Sequence, residues 1–335
     1  MLRFIQRRLI LAIPVLIGVT ILTFILTNLL PGDPARALAG HYATADQIEA
    51  TRERLGLNKP IYEQYARYMI RLFQGDLGVS ITSRAPVIHE LTIYFPATLE
   101  LTMFAMIITV IIGIPLGLFS SIYRSPWISS FVISLSFLGV GLPVFWAALI
   151  AQLIFFGKLE ILPLDGRLSP GSPIPTSVTG MYTVDALLAG QYMIYMDAVW
   201  HLIMPGVILA IPAIASISRI THASMVEVMQ KDYIRTARSK GLKSRSVVIG
   251  HALKNGLLPT ITQLGLLVGW AMSGSILVEN IFSWGGLGTY AWIGINRLDL
   301  PVILGITLLT TLVFVIINLI VDVSYGFLDP RINLQ

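Results

Sequence analysis

Charged residues are spaced very unevenly along this chain, and six long stretches hold none at all. They lie between Arg8 and Asp33, Glu100 and Arg124, Arg124 and Lys158, Asp197 and Arg219, Lys254 and Glu279, and Asp299 and Asp322. Each is at least 21 residues of mostly apolar sequence. About 20 helical residues cross the roughly 30 Å hydrocarbon core of a bilayer. Six spans are therefore predicted, near residues 9–30, 98–122, 128–156, 198–219, 256–278 and 300–321. They must be helical, because lipid offers no partner for an open backbone, and they are too long for barrel strands.

The polar segments between them carry their own signals. In residues 31–97, Thr44-Ala45-Asp46-Gln47 reads as a capping box that opens a helix. Gly56 ends that helix. Asn58-Lys59-Pro60 starts another, bearing Tyr62, Tyr65, Tyr68 and Met69, and Gly75-Asp76-Leu77-Gly78 breaks it. This predicts a small helical lobe. Within residues 158–197, Ser169-Pro170-Gly171-Ser172-Pro173-Ile174-Pro175 must be irregular. Trp284-Gly285-Gly286-Leu287-Gly288 reads as a Gly-rich turn before the last span. Inside the spans, Gly113 with Gly117 and Gly265 with Gly269 have the spacing that lets helices approach closely. Pro205 and Pro212 interrupt the fourth span. The organisation is residues 1–30 (N-terminus and first span), 31–97 (lobe) and 98–335 (five-span core with an internal polar loop at 220–255).

Composition agrees. The 335 residues are 55% hydrophobic and 12% charged, which excludes an ordinary soluble domain. Six spans put both termini on one side. That side, with the Arg124 turn and the Arg219–Lys254 loop, sums to net +9 against −4 on the other, recovering the chain's +5. The positive-inside rule then places both termini and residues 220–255 in the cytoplasm of a plasma (inner) membrane. The pI of about 9.4 reflects this topology and implies no nucleic-acid partner. The apolar run from Leu9 to Leu30 is too long for a cleaved signal peptide. With no cysteine there is no thiol nucleophile and no Cys-ligated metal.

The most informative polar segment is Asp232-Tyr233-Ile234-Arg235-Thr236-Ala237-Arg238-Ser239-Lys240-Gly241. Lys231, Arg235 and Arg238 fall at i, i+4 and i+7, on one helix face. Val226, Met229, Tyr233 and Ala237 fall at i, i+3, i+7 and i+11, predicting an apolar face. Gly241 sits where a left-handed glycine stops a helix. Spacing leaves two readings open: a helix resting on acidic headgroups, or a handle gripped by a soluble partner.

The segment resembles the cytoplasmic loop of bacterial ABC-importer permeases of the dipeptide/oligopeptide/nickel family. In that family's "EAA" pattern a Gly follows four residues after the second Ala. Ala237 and Gly241 match, while Arg235 and Thr236 stand in place of the Glu and the first Ala. The following His251-Ala252-Leu253-Lys254-Asn255-Gly256-Leu257-Leu258-Pro259 is similar to the peptide branch. The likeness spans nearly the whole chain: Arg7-Arg8, Pro31-Gly32-Asp33-Pro34, Gly75-Asp76-Leu77-Gly78, Pro96-Ala97-Thr98-Leu99-Glu100, Glu279-Asn280-Ile281-Phe282-Ser283-Trp284, and Asp329-Pro330-Arg331-Ile332. Gly285 departs from it, since the family usually has Pro after the Trp.

The resemblance implies an all-α, six-span type I importer permease. Its partners would be a second homologous permease, two cytosolic ATPases, an extracytoplasmic solute-binding protein and the lipid membrane. Lys231, Asp232, Tyr233, Arg235, Thr236, Ala237, Arg238 and Gly241 would form the coupling helix that docks an ATPase. No GxxxxGK[ST] loop is present, so this chain is expected to bind no cofactor and catalyse nothing, with ATP and Mg held by the ATPases.

Glu279, Trp284 and Asp322 are the candidates for the pathway or its gate. An acid near a membrane is a functional candidate by default, although both carboxylates lie near span ends, where charge costs less. Glu100 and His201 are expected to make structural contacts, and the tyrosines of residues 62–68 to pack or to receive the binding protein. The expected cargo is a peptide, with nickel chelate, glutathione, opine or sugar as alternatives. A self-contained secondary carrier would need buried coupling charges, which the span interiors lack. An intramembrane enzyme would need a motif such as HExxH, also absent.

Overall fold

The computed structural model describes residues 2–29, 34–39, 43–122, 127, 134, 139 and 141–328. Within these residues the chain is helical, with one isolated antiparallel bridge between Val79 and Pro86. In order the helices are α1 (Leu2–Leu29), α2 (Pro34–Ala39), α3 (Ala45–Leu55), α4 (Ile61–Phe73), α5 (Val87–Ile122), α6 (Val144–Ala151), α7 (Tyr182–Leu188) and α8 (Tyr192–Val228). They continue with α9 (Asp232–Ser239), α10 (Ser244–Ser246), α11 (Leu253–Gly256), α12 (Leu258–Ile281), α13 (Leu287–Asn296) and α14 (Leu300–Leu328). π-Helical turns, Gln152–Lys158 and Val247–Ala252, extend α6 and join α10 to α11.

Among the described residues five helices are long and apolar enough to span a membrane: Gln6–Leu26, Val87–Ile122, Tyr192–Val228, Leu258–Ile281 and Leu300–Ser324. The shorter Val144–Lys158 is the described part of the expected third span. Much of that span's first half, the Arg124 turn, Pro31-Gly32-Asp33 and Asp329-Pro330-Arg331-Ile332 lie outside the described residues. Several helices overrun the apolar pattern. α5 begins at Val87, so residue 97 falls inside a helix that continues the lobe into the membrane. α8 runs from Tyr192 through Pro205 and Pro212 to Val228.

α5 and α8 pack most extensively and form the spine. Small residues make this possible: a Cβ on Gly117 would sit 2.5 Å from the Ser218 carbonyl oxygen, and one on Gly113 3.0 Å from Ile217. On the far side Gly265 faces Val321 and Gly269 faces Phe314, joining α12 to α14. Both predicted small-residue spacings thus serve close packing. α1 lies along α14, and its exposed Leu9, Ile10, Leu11 and Leu22 suit a lipid-facing surface.

The caps predicted for α3 are present. Thr44 accepts from the Gln47 backbone while the Gln47 side chain accepts from the Thr44 backbone, and Gly56 closes α3 with φ +69°. Tyr65 and Tyr68 of α4 pack on Phe24 of α1, at 5.4 and 5.8 Å between ring centroids. Asp299 pins the next loop to α14, accepting from Ser80 Oγ at 2.7 Å and Thr82 N–H at 2.9 Å.

Candidate functional site

Two polar assemblies stand at opposite ends of the bundle. At the basic end, α8 stops at Val228 and the chain restarts as α9 at Asp232, with Lys231 in an extended conformation before it. That break corrects the expected apolar face. Continuous helical phase would bury Val226, Met229, Tyr233 and Ala237 together. The interruption shifts the register, and Ile234 joins Ala237 as the buried pair while Val226 and Tyr233 are exposed. Ile234 and Ala237 rest on Met225 and Val228 of α8 and on Val247, Val248 and Ala252, with Leu118 and Ile122 of α5 alongside. α9 is thus seated on the ends of two span helices and on the lead-in to a third, α12. A Cβ on Gly256 would meet the Met225 side chain, so glycine lets α11 approach α8 closely here without displacing it.

The other face of α9 is open. Lys231, Asp232, Tyr233, Arg235, Thr236 and Arg238 are all exposed. Lys231 reaches Glu227 at 2.8 Å, a contact that raises the lysine's pKa, and Arg235 lies 3.6 Å from Asp232. Tyr233 accepts from Asn255 at 3.0 Å, tying the helix to α11. Gly241 adopts φ +74° and its N–H donates to the Arg238 carbonyl at 2.9 Å, the left-handed stop expected of it. Of the eight residues proposed to dock a partner, Ala237 faces inward as an anchor. Just inside the bundle, Ser120 and His222 meet at 2.7 Å and Thr221 and Thr260 at 3.0 Å, linking α5, α8 and α12.

At the other end Glu279 is fully buried near the end of α12. Its Oε1 accepts from Thr98 at 2.6 Å and Ser275 at 2.9 Å, and Oε2 accepts from the Thr289 N–H at 3.1 Å. Thr98 in turn accepts from the Leu287 N–H at 2.7 Å. Trp284 is 1% exposed, and its indole N–H donates to the Ala97 carbonyl at 2.8 Å. Glu279 and Trp284 therefore join into one knot that holds the α12–α13 turn against α5. A Cβ on Gly286 or Gly288 would strike the Glu279 carboxylate, which explains glycine at both places. Asp322 lies at the basic end of α14, 3.1 Å from Arg8 of α1. The three pathway candidates thus occupy two separate places, and in this conformation each is engaged in a contact between helices.

A second clamp was legible only in part. Glu100, expected to make a structural contact, receives Arg167 at 2.7 Å and the Thr183 hydroxyl and N–H at 2.6 and 2.7 Å. The Arg167 guanidinium also lies 3.6 Å over the Tyr182 ring. Asp197 accepts from Ser169 and Ser172, fastening the irregular segment to α8, and His201 bonds back to the Asp197 carbonyl at 2.9 Å. Among the described residues no group of three or more His, Asp or Glu could hold a metal.

Residues 113–334 match the family described as "binding-protein-dependent transport system inner membrane component", and residues 1–102 match its N-terminal component. The chain is 44% identical to the dipeptide transport system permease protein DppB of Alkalihalophilus pseudofirmus, over 99% of this chain and 100% of the relative. It is 43% identical to the di/tripeptide transport system permease protein DppB of Pseudomonas aeruginosa, over the whole of both chains. It is 36% identical to the glutathione transport system permease protein GsiC of Escherichia coli, over 99% of each.

Proposed function

The chain belongs to the binding-protein-dependent transport system inner membrane components, and from that premise we propose how it works. It is a multi-pass membrane permease, the transmembrane subunit of a peptide ABC importer. We infer that it pairs with a second permease, that two cytosolic ATPases drive the pair, and that an extracytoplasmic binding protein delivers the cargo. The ATPases hold ATP and Mg; this chain contributes the pathway and no catalysis. The excess of Lys and Arg at the α9 end orients both termini and α9 toward the cytoplasm.

The observation that carries this reading is the seating of α9. Its apolar side is locked on the ends of α5 and α8 and on the lead-in to α12, and its charged side is open. A protein that grips Arg235 and Arg238 gains fork-shaped donors for its carboxylates or carbonyls. When that partner moves, the rigid pad passes the displacement to three span helices at once. A helix lying on headgroups needs no such rigid seat.

The cargo we infer is a short peptide, as the names of the relatives suggest. The test is reconstitution in liposomes. A labelled dipeptide should accumulate only with both permeases, both ATPases, ATP and the loaded binding protein. Accumulation by this chain alone under an ion gradient would make it a secondary carrier, and nucleotide binding by the purified chain would contradict the division of labour.

A further inference from the structure

A cleft of about 420 Å³ opens where the lobe meets α1 and α14. Its lining is largely apolar, with Phe24 from α1, Tyr68 from α4, and Leu300 and Leu304 from α14. Its lining also holds three arginines, Arg54, Arg67 and Arg71, against one acid, Asp76. None of the three arginines makes an ion pair among the described residues. The hydroxyl of Tyr68, in the same lining, is buried without a hydrogen-bond partner among the described residues, in a residue only 6% exposed.

The depth of the cleft in the membrane follows from its walls. Phe24 lies near the end of the Gln6–Leu26 span, and Leu300 is the first residue of the Leu300–Ser324 span. Only 17% of each apolar window is buried by this chain, which leaves most of both helices' apolar surface for lipid or a partner to cover. α4 itself carries a second apolar stripe. Tyr62, Ala66, Ile70 and Phe73 fall at i, i+4, i+8 and i+11, and Tyr62, Ile70 and Phe73 are 70%, 58% and 85% exposed. Arg67 and Arg71, one turn apart, border that stripe. A helix with an exposed aromatic and aliphatic stripe edged by arginines suits the headgroup boundary.

We propose that this cleft binds a phospholipid with an anionic headgroup, its phosphate held by Arg67 and Arg71 and an acyl chain laid against Phe24, Leu300 and Leu304. Guanidinium forks fit phosphate oxygens well. The lining is apolar enough for a chain, and among the described lining residues Asp76 is the one carboxylate facing the arginines. The inference depends on the position of the cleft at the ends of two spans and not on the transport reading, nor on which side of the membrane the lobe occupies.

The test is native mass spectrometry of the purified transporter complex, supplied with phosphatidylglycerol or phosphatidylcholine of the same acyl chains. The wild-type complex should retain phosphatidylglycerol several-fold better. Arg67→Gln/Arg71→Gln should bring retention down to the phosphatidylcholine level, and Arg67→Lys/Arg71→Lys should restore part of the preference. Arg245→Gln, an exposed charge at the opposite end, serves as the control and should leave it unchanged. Equal retention of the two lipids, or full retention by the double Gln variant, would overturn the proposal. So would displacement of the lipid by millimolar inorganic phosphate, which would mark an anion site, or finding the cleft covered by a protein subunit in the complex.

Discussion

Thr98 and Glu279, 181 residues apart in the chain, meet at 2.6 Å in a fully buried contact. Through it the carboxylate that ends α12 is held to α5, and the N–H groups opening α13 are drawn into the same knot. Loss of the acceptor leaves several buried donors without partners, each costing about 1–3 kcal/mol. Glu279→Ala should therefore lower thermal stability in detergent clearly, while Glu279→Gln, which keeps the shape and one acceptor, should lower it less. Equal stability of wild type and Glu279→Ala, together with lost transport, would assign the carboxylate to the gate instead.

Gly241 offers a cleaner separation of backbone from contact. Nothing lies within 4 Å of a Cβ built there, yet φ is +74°. Substitution therefore acts through conformation alone, at about 1 kcal/mol for a branched residue. Gly241→Val should fray the end of α9 and weaken coupling, whereas Gly241→Asn, which tolerates the left-handed region, should keep most of it. Uptake and ATPase activity measured on the same reconstituted complex would show this. Identical behaviour of the Val and Asn variants would mean that the cap does not matter.

Arg238 is exposed and outside the apolar seat, so reversing its charge should leave insertion and stability intact. Arg238→Glu is expected to reduce ATPase co-purification or to uncouple hydrolysis from uptake. Ile234→Asp, which buries a charge in the seat, should instead destabilise the pad itself. Unchanged uptake and ATPase retention in Arg238→Glu would favour a helix that merely rests on lipid.

Topology can be read by single-cysteine labelling, since the chain has no cysteine. Ser172 is held by Asp197 and half-buried, which makes the exposed Ser177 the better probe of the loop before α7. Ser177→Cys should react with an impermeant maleimide from outside and Ser244→Cys only after the cytoplasmic face is opened. The reverse pattern would invert the orientation.

Asp185 of α7 supplies a pH prediction. Burial raises its pKa, but hydrogen bonds from the Thr179 N–H and hydroxyl and the Gly180 N–H outweigh it, and the carboxyl lies below its usual range. A folded pKa below the unfolded value gives stability that is present above the unfolded value, about 4, and lost as pH falls through the folded one. Asp185→Asn should be less stable than wild type near pH 7, and the gap should narrow below about pH 4. A gap that stays constant across that range would show that the contact is not carried by the charge.

Much of this architecture was legible because lipid imposes simple rules. Charge-free runs marked the spans, and the Thr44–Gln47 box, Gly56 and Gly241 marked helix ends by local chemistry alone. What escaped the sequence was non-local or depended on phase. The start of α13 was hidden by the Gly-rich run Gly285-Gly286-Leu287-Gly288, which reads as a turn, whereas Gly288 permits close packing against Glu279. The buried face of α9 was misassigned because a three-residue break resets helical register. The partnership of Glu100 with Arg167 joins residues 67 positions apart, and no spacing rule connects them.

α8 has 37 residues, and at 1.5 Å per residue it is about 55 Å long, nearly twice the thickness of the hydrocarbon core. One rod therefore reaches from the Asp197 fastening at one end to the seat of α9 at the other. A tilt of ~5° about its middle carries each tip ~2.4 Å in opposite directions. Its two prolines, Pro205 and Pro212, each remove a backbone hydrogen bond and set where such a rod bends. Under the proposed coupling, a stroke delivered at the basic end would reach the far loop as a swing about the Pro205–Pro212 segment of this one helix.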